Sequence, residues 1–323
     1  MGSLSDVSAL SKNLSQSISS NSRNIKLKYR ISNILTYILL LLSTLIIIAI
    51  LAVIIGVIFI GGYEKVTWEF LTKAPEEGMT KGGIFPAILG TALLVIVMAI
   101  FSIPIGVFTA IYLSEYANKH SVLYKLVNFS INTIAGIPSI IIGLFGFSFF
   151  IVGIGASIDR LLYGGNLVWG KPALIWAGFT MGVLTLPVVI VSVKEALEAV
   201  PNTIKEASFA LGATKAETIV KVVLPRAMIG VLTGTILAIS RASGEVAPIL
   251  FTGAAYFLPY LPSSLTDQFM ELGYHIYIMS TQSVDVDATM PIQFATTLVL
   301  LGLTFLLNLT TILLRRRLRK IQD

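Results

Sequence analysis

Cysteine is absent from the 323 residues, and charged residues are scarce at 12% of the chain. Without cysteine the protein has no disulfide, no thiolate chemistry and no Cys-based zinc or iron–sulfur site. The two histidines, His120 and His275, lie far apart in the sequence, which argues against a His-rich metal site. A soluble domain carries about 25% charged residues. The composition therefore excludes a soluble enzyme with a solvated surface.

Apolar residues dominate the composition. They make up 55% of the chain, and the mean hydropathy is +0.86. A helix that crosses the hydrocarbon core of a bilayer needs about 20 apolar residues. Six runs of that kind predict an all-α membrane protein with six transmembrane helices, at residues 34–60, 84–113, 131–152, 173–193, 228–252 and 292–314.

The positive charges predict the orientation. Lysine and arginine concentrate in segments that a six-span chain places on one side of the membrane, and these segments hold 17 of the 23 cations. Cytoplasmic loops carry such an excess. The protein is therefore expected in the cell (inner) membrane with both of its termini in the cytoplasm. The net charge of +6 reflects this orientation and does not indicate a nucleic-acid partner. The four segments are residues 1–33, 114–130, 194–227 and 315–323.

The ends of the chain have distinct expected roles. Residues 1–30 are rich in serine and predict a disordered cytoplasmic tail. Residues 31–62 predict a peripheral first transmembrane helix, since an apolar run of 27 residues is too long for the 7–15-residue core of a signal peptide. A five-helix core is expected at 84–314, with an external loop at 253–291, and a basic cytoplasmic tail follows at 315–323.

The connection at 194–227 has a helical pattern where a simple linker would have none. Apolar residues recur at helical spacing on both sides of Gly212. Gly212 stands where one helix would end in a left-handed residue, and Thr214 is well placed to cap the next. The pattern predicts two short amphipathic helices that meet at a glycine corner beneath the membrane.

This connection resembles the EAA loop of ABC importer permeases. Glu206-Ala207-Ser208, three residues, Gly212, nine residues and then the run ending at Pro225 reproduce that motif, with Ser208 and Val222 as mild departures. The resemblance implies that the loop docks as a coupling helix into a cytoplasmic ATPase. An interfacial amphipathic helix without a partner is the alternative. The coupling residues that the resemblance implies are Glu206, Ala207, Gly212, Leu224 and Pro225.

Two charges interrupt the fifth apolar run. An arginine at the centre of a spanning helix costs about 2.5–3.5 kcal/mol on insertion scales. The four-residue spacing of Arg241 and Glu245 predicts that both lie on one helix face, where they can pair. They either form a structural ion pair or face a translocation pathway, where a guanidinium presents a planar donor fork to an oxyanion.

The residues around these charges make the resemblance more specific. Ser-Arg-Ala-Ser-Gly-Glu, followed by Ala-Pro-Ile-Leu-Phe-Thr after one intervening residue, resembles the A-type permease family of phosphate-specific ABC importers, and residues 82–88, 111–116 and 135–146 agree. The resemblance covers about residues 80–315. It implies a MetI-like (type I) permease fold, no cofactor, and a phosphate pathway at Arg241 and Glu245. The partners it implies are an ATPase dimer, a homologous C-type permease as heterodimer, an extracytoplasmic phosphate-binding protein and the lipid bilayer.

Several alternatives stay open. The same fold could carry another oxyanion such as molybdate or sulfate, and a secondary transporter or a membrane enzyme using Glu245 are further candidates. The chain contains no G-x-x-x-x-G-K-[ST] phosphate loop, so ATP hydrolysis by that route must belong to a partner. The Gly-Ile-Pro-Ser segment at 136–139 is expected to be a packing irregularity, with lining of a cavity as its alternative.

Overall fold

The computed structural model describes residues 4–283 and 285–322. In that part of the chain, six helices are long and apolar enough to cross a membrane. The chain is therefore a multi-pass membrane protein, and the predicted number of spans is confirmed. The spans are Asn33–Lys65, Phe85–Tyr116, Ser139–Leu162, Leu174–Glu198, Lys215–Ala242 and Val286–Thr310.

Helices account for nearly all of the regular structure. The short strands β1 (Pro75–Glu76) and β2 (Lys81–Gly82) form an antiparallel hairpin between the first two spans. Segments of π-helix at Tyr112–Tyr116, Phe147–Gly155 and Ile219–Val223 extend the neighbouring α-helices. The α-helices are α1 (Leu4–Gly62), α2 (Trp68–Thr72), α3 (Phe85–Ile111), α4 (Val122–Gly136), α5 (Ser139–Gly146), α6 (Ala156–Leu162), α7 (Leu174–Glu198), α8 (Asn202–Ala210), α9 (Lys215–Thr218), α10 (Leu224–Ala242), α11 (Leu272–Gln282) and α12 (Val286–Gln322).

The helix α1 begins much earlier than the apolar run does. Met1–Val57 and Ile58–Asp323 are separate compact units, and the first consists of α1 from Leu4 onward. The expectation of a disordered tail at 1–30 is therefore wrong for residues 4–30. The sequence gives the physical reason, since Val7, Leu10, Leu14 and Ile18 recur at helical spacing and no proline or glycine interrupts residues 3–55.

The third span starts later than predicted. Helix α4 ends at Gly136, Ile137 and Pro138 adopt extended backbone angles, and a new helix starts at Ser139. The predicted span at 131–152 is therefore wrong at its beginning, and the span runs from Ser139 to Leu162. Pro138 explains the break, because a residue before proline is disfavoured in the helical region and proline has no amide hydrogen to donate.

The fifth span begins earlier in the chain than predicted, within the connection at 194–227. Helix α9 continues without a break through the π-helical turn Ile219–Val223 into α10, so the second short helix predicted in the 194–227 connection is not separate from the fifth span. The wider turn just before Pro225 suits a residue that cannot donate to the preceding turn. At the other end α10 stops at Ala242, and the prediction of a helix to residue 252 is wrong.

Glycines allow α3 and α7 to pack closely. A Cβ atom added at Gly178 would lie 2.4 Å from Cγ1 of Val97, and one added at Gly182 would lie 2.4 Å from Cδ1 of Phe101. Small residues of this kind let membrane helices approach each other. The methionines Met98 and Met181 are buried in the same core. This helix pair is the frame on which the candidate site is built.

Candidate functional site

A cavity of about 170 Å³ lies where three parts of the chain meet. One wall is the break between α4 and α5, a second is the middle of α7, and the third is the end of α10 with the residues that follow it. Both of the predicted pathway residues, Arg241 and Glu245, face this cavity. Its lining is Ile134, Ala135, Ile137, Ser139, Leu184, Thr185, Pro187, Val188, Ala238, Arg241, Ala242 and Glu245.

Arg241 lies in the last turn of α10, and Glu245 lies beyond the end of that helix. The backbone leaves the helix through turns, in which the Glu245 amide donates to the Ala242 carbonyl at 3.1 Å. Gly244 and the nearby Pro248 are residues that favour such an end. The prediction that both charges share one helix face is therefore wrong.

The predicted ion pair is also not formed. Among the described residues, no hydrogen bond and no ion pair within 4.0 Å joins Arg241 to Glu245 or either side chain to another group. Arg241 is exposed and Glu245 is half-buried. A guanidinium at a helix C-terminus is favoured by the partial negative charge of the last carbonyl groups. Its five donors remain available to an anion in the cavity.

The break at Pro138 places a helix N-terminus in the cavity wall. Ser139 is the first residue of α5, and no side chain caps that end of the helix. The first amide groups of a helix lack partners within the helix and carry partial positive charge. The segment that was expected to be a packing irregularity thus lines the cavity, which was its alternative role. The partial positive charge of this helix N-terminus has the same sign as the charge of Arg241.

The α7 wall is chemically neutral. Leu184, Pro187 and Val188 present apolar surface, and the Thr185 hydroxyl is engaged with the carbonyl groups of Met181 at 3.1 Å and Gly182 at 3.0 Å. The cavity therefore offers one cation, one carboxylate and one helix N-terminus between apolar walls. Such a set can hold a small oxyanion that keeps a proton to share with the carboxylate.

The predicted coupling residues lie at a separate corner. Helix α8 ends next to Gly212, whose φ of 83° is the left-handed turn that the sequence predicts. Thr214 and Glu217 form a reciprocal capping box at the start of α9. Glu206, Ala207 and Pro225 are exposed, and Leu224 is half-buried. The structure thus brings Glu206, Ala207 and Gly212 to one exposed corner.

Contacts that sequence reasoning missed fix this corner in place. The Ser208 and Thr218 hydroxyls, both buried, hydrogen bond at 2.9 Å and join α8 to α9. Lys205 pairs with Glu115 at 2.6 Å, and the Lys215 ammonium lies 4.8 Å from the centre of the Tyr116 ring. The departure of Ser208 from the usual alanine was the one available signal, because a hydroxyl at a buried position needs a partner.

A second buried polar group lies at the start of α11. Glu271 caps α11 by accepting hydrogen bonds from the amides of Gly273 at 2.9 Å and Tyr274 at 2.6 Å. Burial raises the pKa of the Glu271 carboxyl from 4.5 to about 7, against the opposing effect of those bonds. Burial also lowers the pKa of His275 from 6.5 to about 4. The sequence pattern gave no signal for this buried carboxyl.

The comparison with protein families assigns most of the chain. Residues 102–320 match the family model described as the binding-protein-dependent transport system inner membrane component. This stretch contains the cavity and the corner, and it is more than half of the chain. The break at Pro138, the corner at Gly212 and the end of α10 thus all lie within one family domain.

Individual relatives agree with that match. The chain is 32% identical over 232 residues to phosphate transport system permease protein PstA 1 of Mycobacterium tuberculosis, and the aligned stretch covers 71% of each chain. It is 35% identical over 184 residues to phosphate transport system permease protein PstA of Pasteurella multocida, and the aligned stretch covers 57% of this chain and 59% of the relative.

A solved structure supports the fold. The inward-facing structure of the MetNI methionine ABC transporter matches with a TM-score of 0.53 and 20% identity, over 73% of this chain and 95% of the solved chain. At that identity the likeness concerns the fold alone. It confirms the expected MetI-like permease architecture.

Proposed function

The chain belongs to the family of binding-protein-dependent transport system inner membrane components, and from that premise we propose that it is the permease subunit of an ATP-driven importer of inorganic phosphate. The observation that carries the proposal is the exposed guanidinium of Arg241, which faces the cavity without a protein partner among the described residues. Similarity to phosphate transport permeases of Mycobacterium tuberculosis and Pasteurella multocida supports the choice of cargo.

The cavity suits phosphate for a chemical reason. A guanidinium fork can donate two parallel hydrogen bonds to a tetrahedral oxyanion, and the N-terminus of α5 adds positive potential. Glu245 would repel a fully ionised anion but can accept a hydrogen bond from one that keeps a proton. Phosphate retains a proton near neutral pH, whereas sulfate and molybdate do not. The carboxylate thus favours phosphate over the other oxyanions.

The energy and the partners belong to the rest of the proposed complex. An ATPase dimer would dock on the corner formed by Glu206, Ala207 and Gly212, with Leu224 and Pro225 at its edge. A PstC-like permease would complete a heterodimer, and an extracytoplasmic phosphate-binding protein would deliver the anion. The chain itself would be no enzyme. Both termini would lie in the cytoplasm of the cell membrane, as the distribution of lysine and arginine predicts.

Reconstitution tests this proposal against its rivals. The complete complex would be placed in liposomes, and uptake of phosphate, sulfate and molybdate would be measured with and without ATP. We expect ATP-dependent uptake of phosphate in clear preference to the other two. Equal uptake of sulfate would contradict phosphate as the preferred cargo. Uptake that proceeds without the ATPase would indicate a secondary transporter.

A further inference from the structure

One ion pair joins the coupling corner to the second span. Lys205 lies on α8, and Glu115 lies in the π-helical turn that ends the second span, 90 residues earlier in the chain. Their charged atoms are 2.6 Å apart, and the two side chains are only 15% and 9% exposed. In the other ion pairs of the described residues, every side chain is at least 42% exposed.

Stability alone does not account for a pair with this burial. The removal of two charges from water offsets most of their attraction, and an apolar pair of similar size often stabilises a protein as well. A buried ion pair, however, fixes one specific geometry, because both charges lose much if they separate. The Lys205–Glu115 pair is therefore suited to hold α8 and the end of α3 in a fixed relation.

Neighbouring contacts join the same two elements. The Lys215 ammonium lies over the ring of Tyr116, in the same turn as Glu115. The Ser208–Thr218 hydrogen bond connects α8, which carries Lys205, to α9, which carries Lys215. Both helices of the corner thus hold one turn of the second span.

The second span continues this connection toward the cavity. Helix α3 packs tightly on α7 at Gly178 and Gly182, and α7 supplies Leu184, Thr185 and Val188 to the cavity wall. A displacement of the corner would therefore reach the cavity through α3 and α7 as well as directly through α10.

We propose that Lys205 and Glu115 form a positioning pair that makes the coupling corner and the end of α3 move as one body during transport. The inference rests on the proposed function, since it presupposes that a partner ATPase moves the corner. Loss of the pair should leave ATP hydrolysis running while fewer anions are moved for each ATP consumed.

The test measures phosphate taken up per ATP hydrolysed by the complete complex in liposomes. Lys205→Met should lower this ratio by about five-fold or more, as typical coupling energies imply. The charge swap of Lys205→Glu with Glu115→Lys should restore it. Lys81→Met is the matched control, because its pair with Glu77 is 66% and 62% exposed and lies before the start of α3, at the end opposite Glu115. This control should keep the wild-type ratio.

A reversible crosslink gives a second measurement that does not depend on the single variants. Because the chain has no cysteine, Lys205→Cys with Glu115→Cys creates the only two thiols in this subunit. A short bis-methanethiosulfonate linker should raise the ratio toward wild type, and a reductant should lower it again. Loss of transport in the linked form would overturn the proposal, because it would mean that the two elements must separate.

The remaining outcomes are also decisive. An unchanged ratio in assembled Lys205→Met complexes, or an equal loss in the Lys81→Met control, would overturn the role of this pair. If Lys205→Met fails to assemble, the linked and reduced states of the cysteine pair decide the question. Failure of the wild-type complex to couple phosphate uptake to ATP hydrolysis would instead refute the proposed function.

Discussion

Arg241 illustrates how one residue acquires a role from the place where its helix ends. In a continuous helix its charge would lie one turn from Glu245 and could be neutralised there. Because α10 stops at Ala242, the two side chains diverge from a shared helix face and both line the cavity. The guanidinium of Arg241 is therefore not neutralised by the Glu245 carboxylate. Its charge and its hydrogen-bond donors can be used by an anion that enters the cavity.

The geometry of that cation gives the first prediction. Arg241→Lys keeps the charge that favours the end of α10 but removes the planar fork. A lost charge-assisted hydrogen bond is worth about 1.5–3 kcal/mol, so phosphate uptake should fall roughly ten-fold to a hundred-fold. Uptake into liposomes at equal amounts of complex is the measurement.

A matched arginine provides the control for this experiment. Arg160 is exposed near the end of α6 and outside the cavity, so Arg160→Lys should leave uptake unchanged. Wild-type uptake in Arg241→Lys complexes would contradict a phosphate-binding role and leave Arg241 only its effect on the helix end.

Glu271 gives a prediction about pH. Its folded pKa of about 7 lies above the ordinary value of 4.5, so the folded state binds this proton more tightly than the unfolded state does. The stability that it contributes is fully present below pH 4.5 and is lost as the pH rises through 7. The shift corresponds to roughly 3 kcal/mol. His275 stays neutral across that window, since its pKa is about 4.

The melting temperature of the purified protein in detergent should therefore decrease between about pH 5 and pH 8. Glu271→Gln cannot ionise and should flatten this part of the profile, even if the variant is less stable at pH 5 through a weakened helix cap. Glu195→Gln, at an exposed position on α7, should keep the wild-type slope. An unchanged slope in Glu271→Gln would show that another group titrates.

At the scale of elements, the sequence predicts what is local and misjudges where helices stop. The Gly212 turn and the Thr214 cap are local decisions of the backbone, and both are confirmed. The end of α10 is different, because apolar residues continue to 252 and conceal a change of backbone that Gly244 and Pro248 permit. Tertiary packing then exploits the change, since Pro248 lies against Gly143 of α5.

The corner itself yields the next prediction. A Cβ atom at Gly212 would meet no atom within 4 Å, yet the residue has a φ of 83°. Gly212→Leu should therefore cost roughly 1–2 kcal/mol in backbone strain and project a side chain into the proposed docking surface. Copurification of the ATPase and phosphate-stimulated ATP hydrolysis should both fall, while the protein still inserts into the membrane.

Gly164 separates strain from docking. It has a φ of 60° and equally open surroundings, but it lies in the connection between α6 and α7 and not at the corner. Gly164→Leu should impose similar backbone strain without affecting the ATPase. Equal loss of hydrolysis in both variants would trace the effect to strain, and normal hydrolysis in Gly212→Leu would remove the corner from the mechanism.

At the scale of the whole molecule, the limit of sequence reasoning is contact over long separations. The number of spans follows from apolar length, and Arg241 stands out because a charge in such a run is costly. The pairing of Lys205 with Glu115 has no such signal, since many charges of both signs occupy those connections. The segment at 136–139 was left open between packing and lining a cavity, because its role depends on which wall of the cavity the break at Pro138 forms.

The orientation of the molecule is the property that the charges predict most directly. Segments with 17 of the 23 cations should remain in the cytoplasm, which places position 120 inside and the connection at 163–173 outside.

The absence of cysteine allows a labelling test of this orientation, because a single introduced thiol is the only one in the chain. His120→Cys and Leu167→Cys put that thiol at exposed positions on opposite sides. A membrane-impermeant maleimide should label Leu167→Cys in intact cells and His120→Cys only after permeabilisation, whereas the parent should stay unlabelled. The opposite pattern would invert the topology and put the Gly212 corner out of reach of any cytoplasmic ATPase.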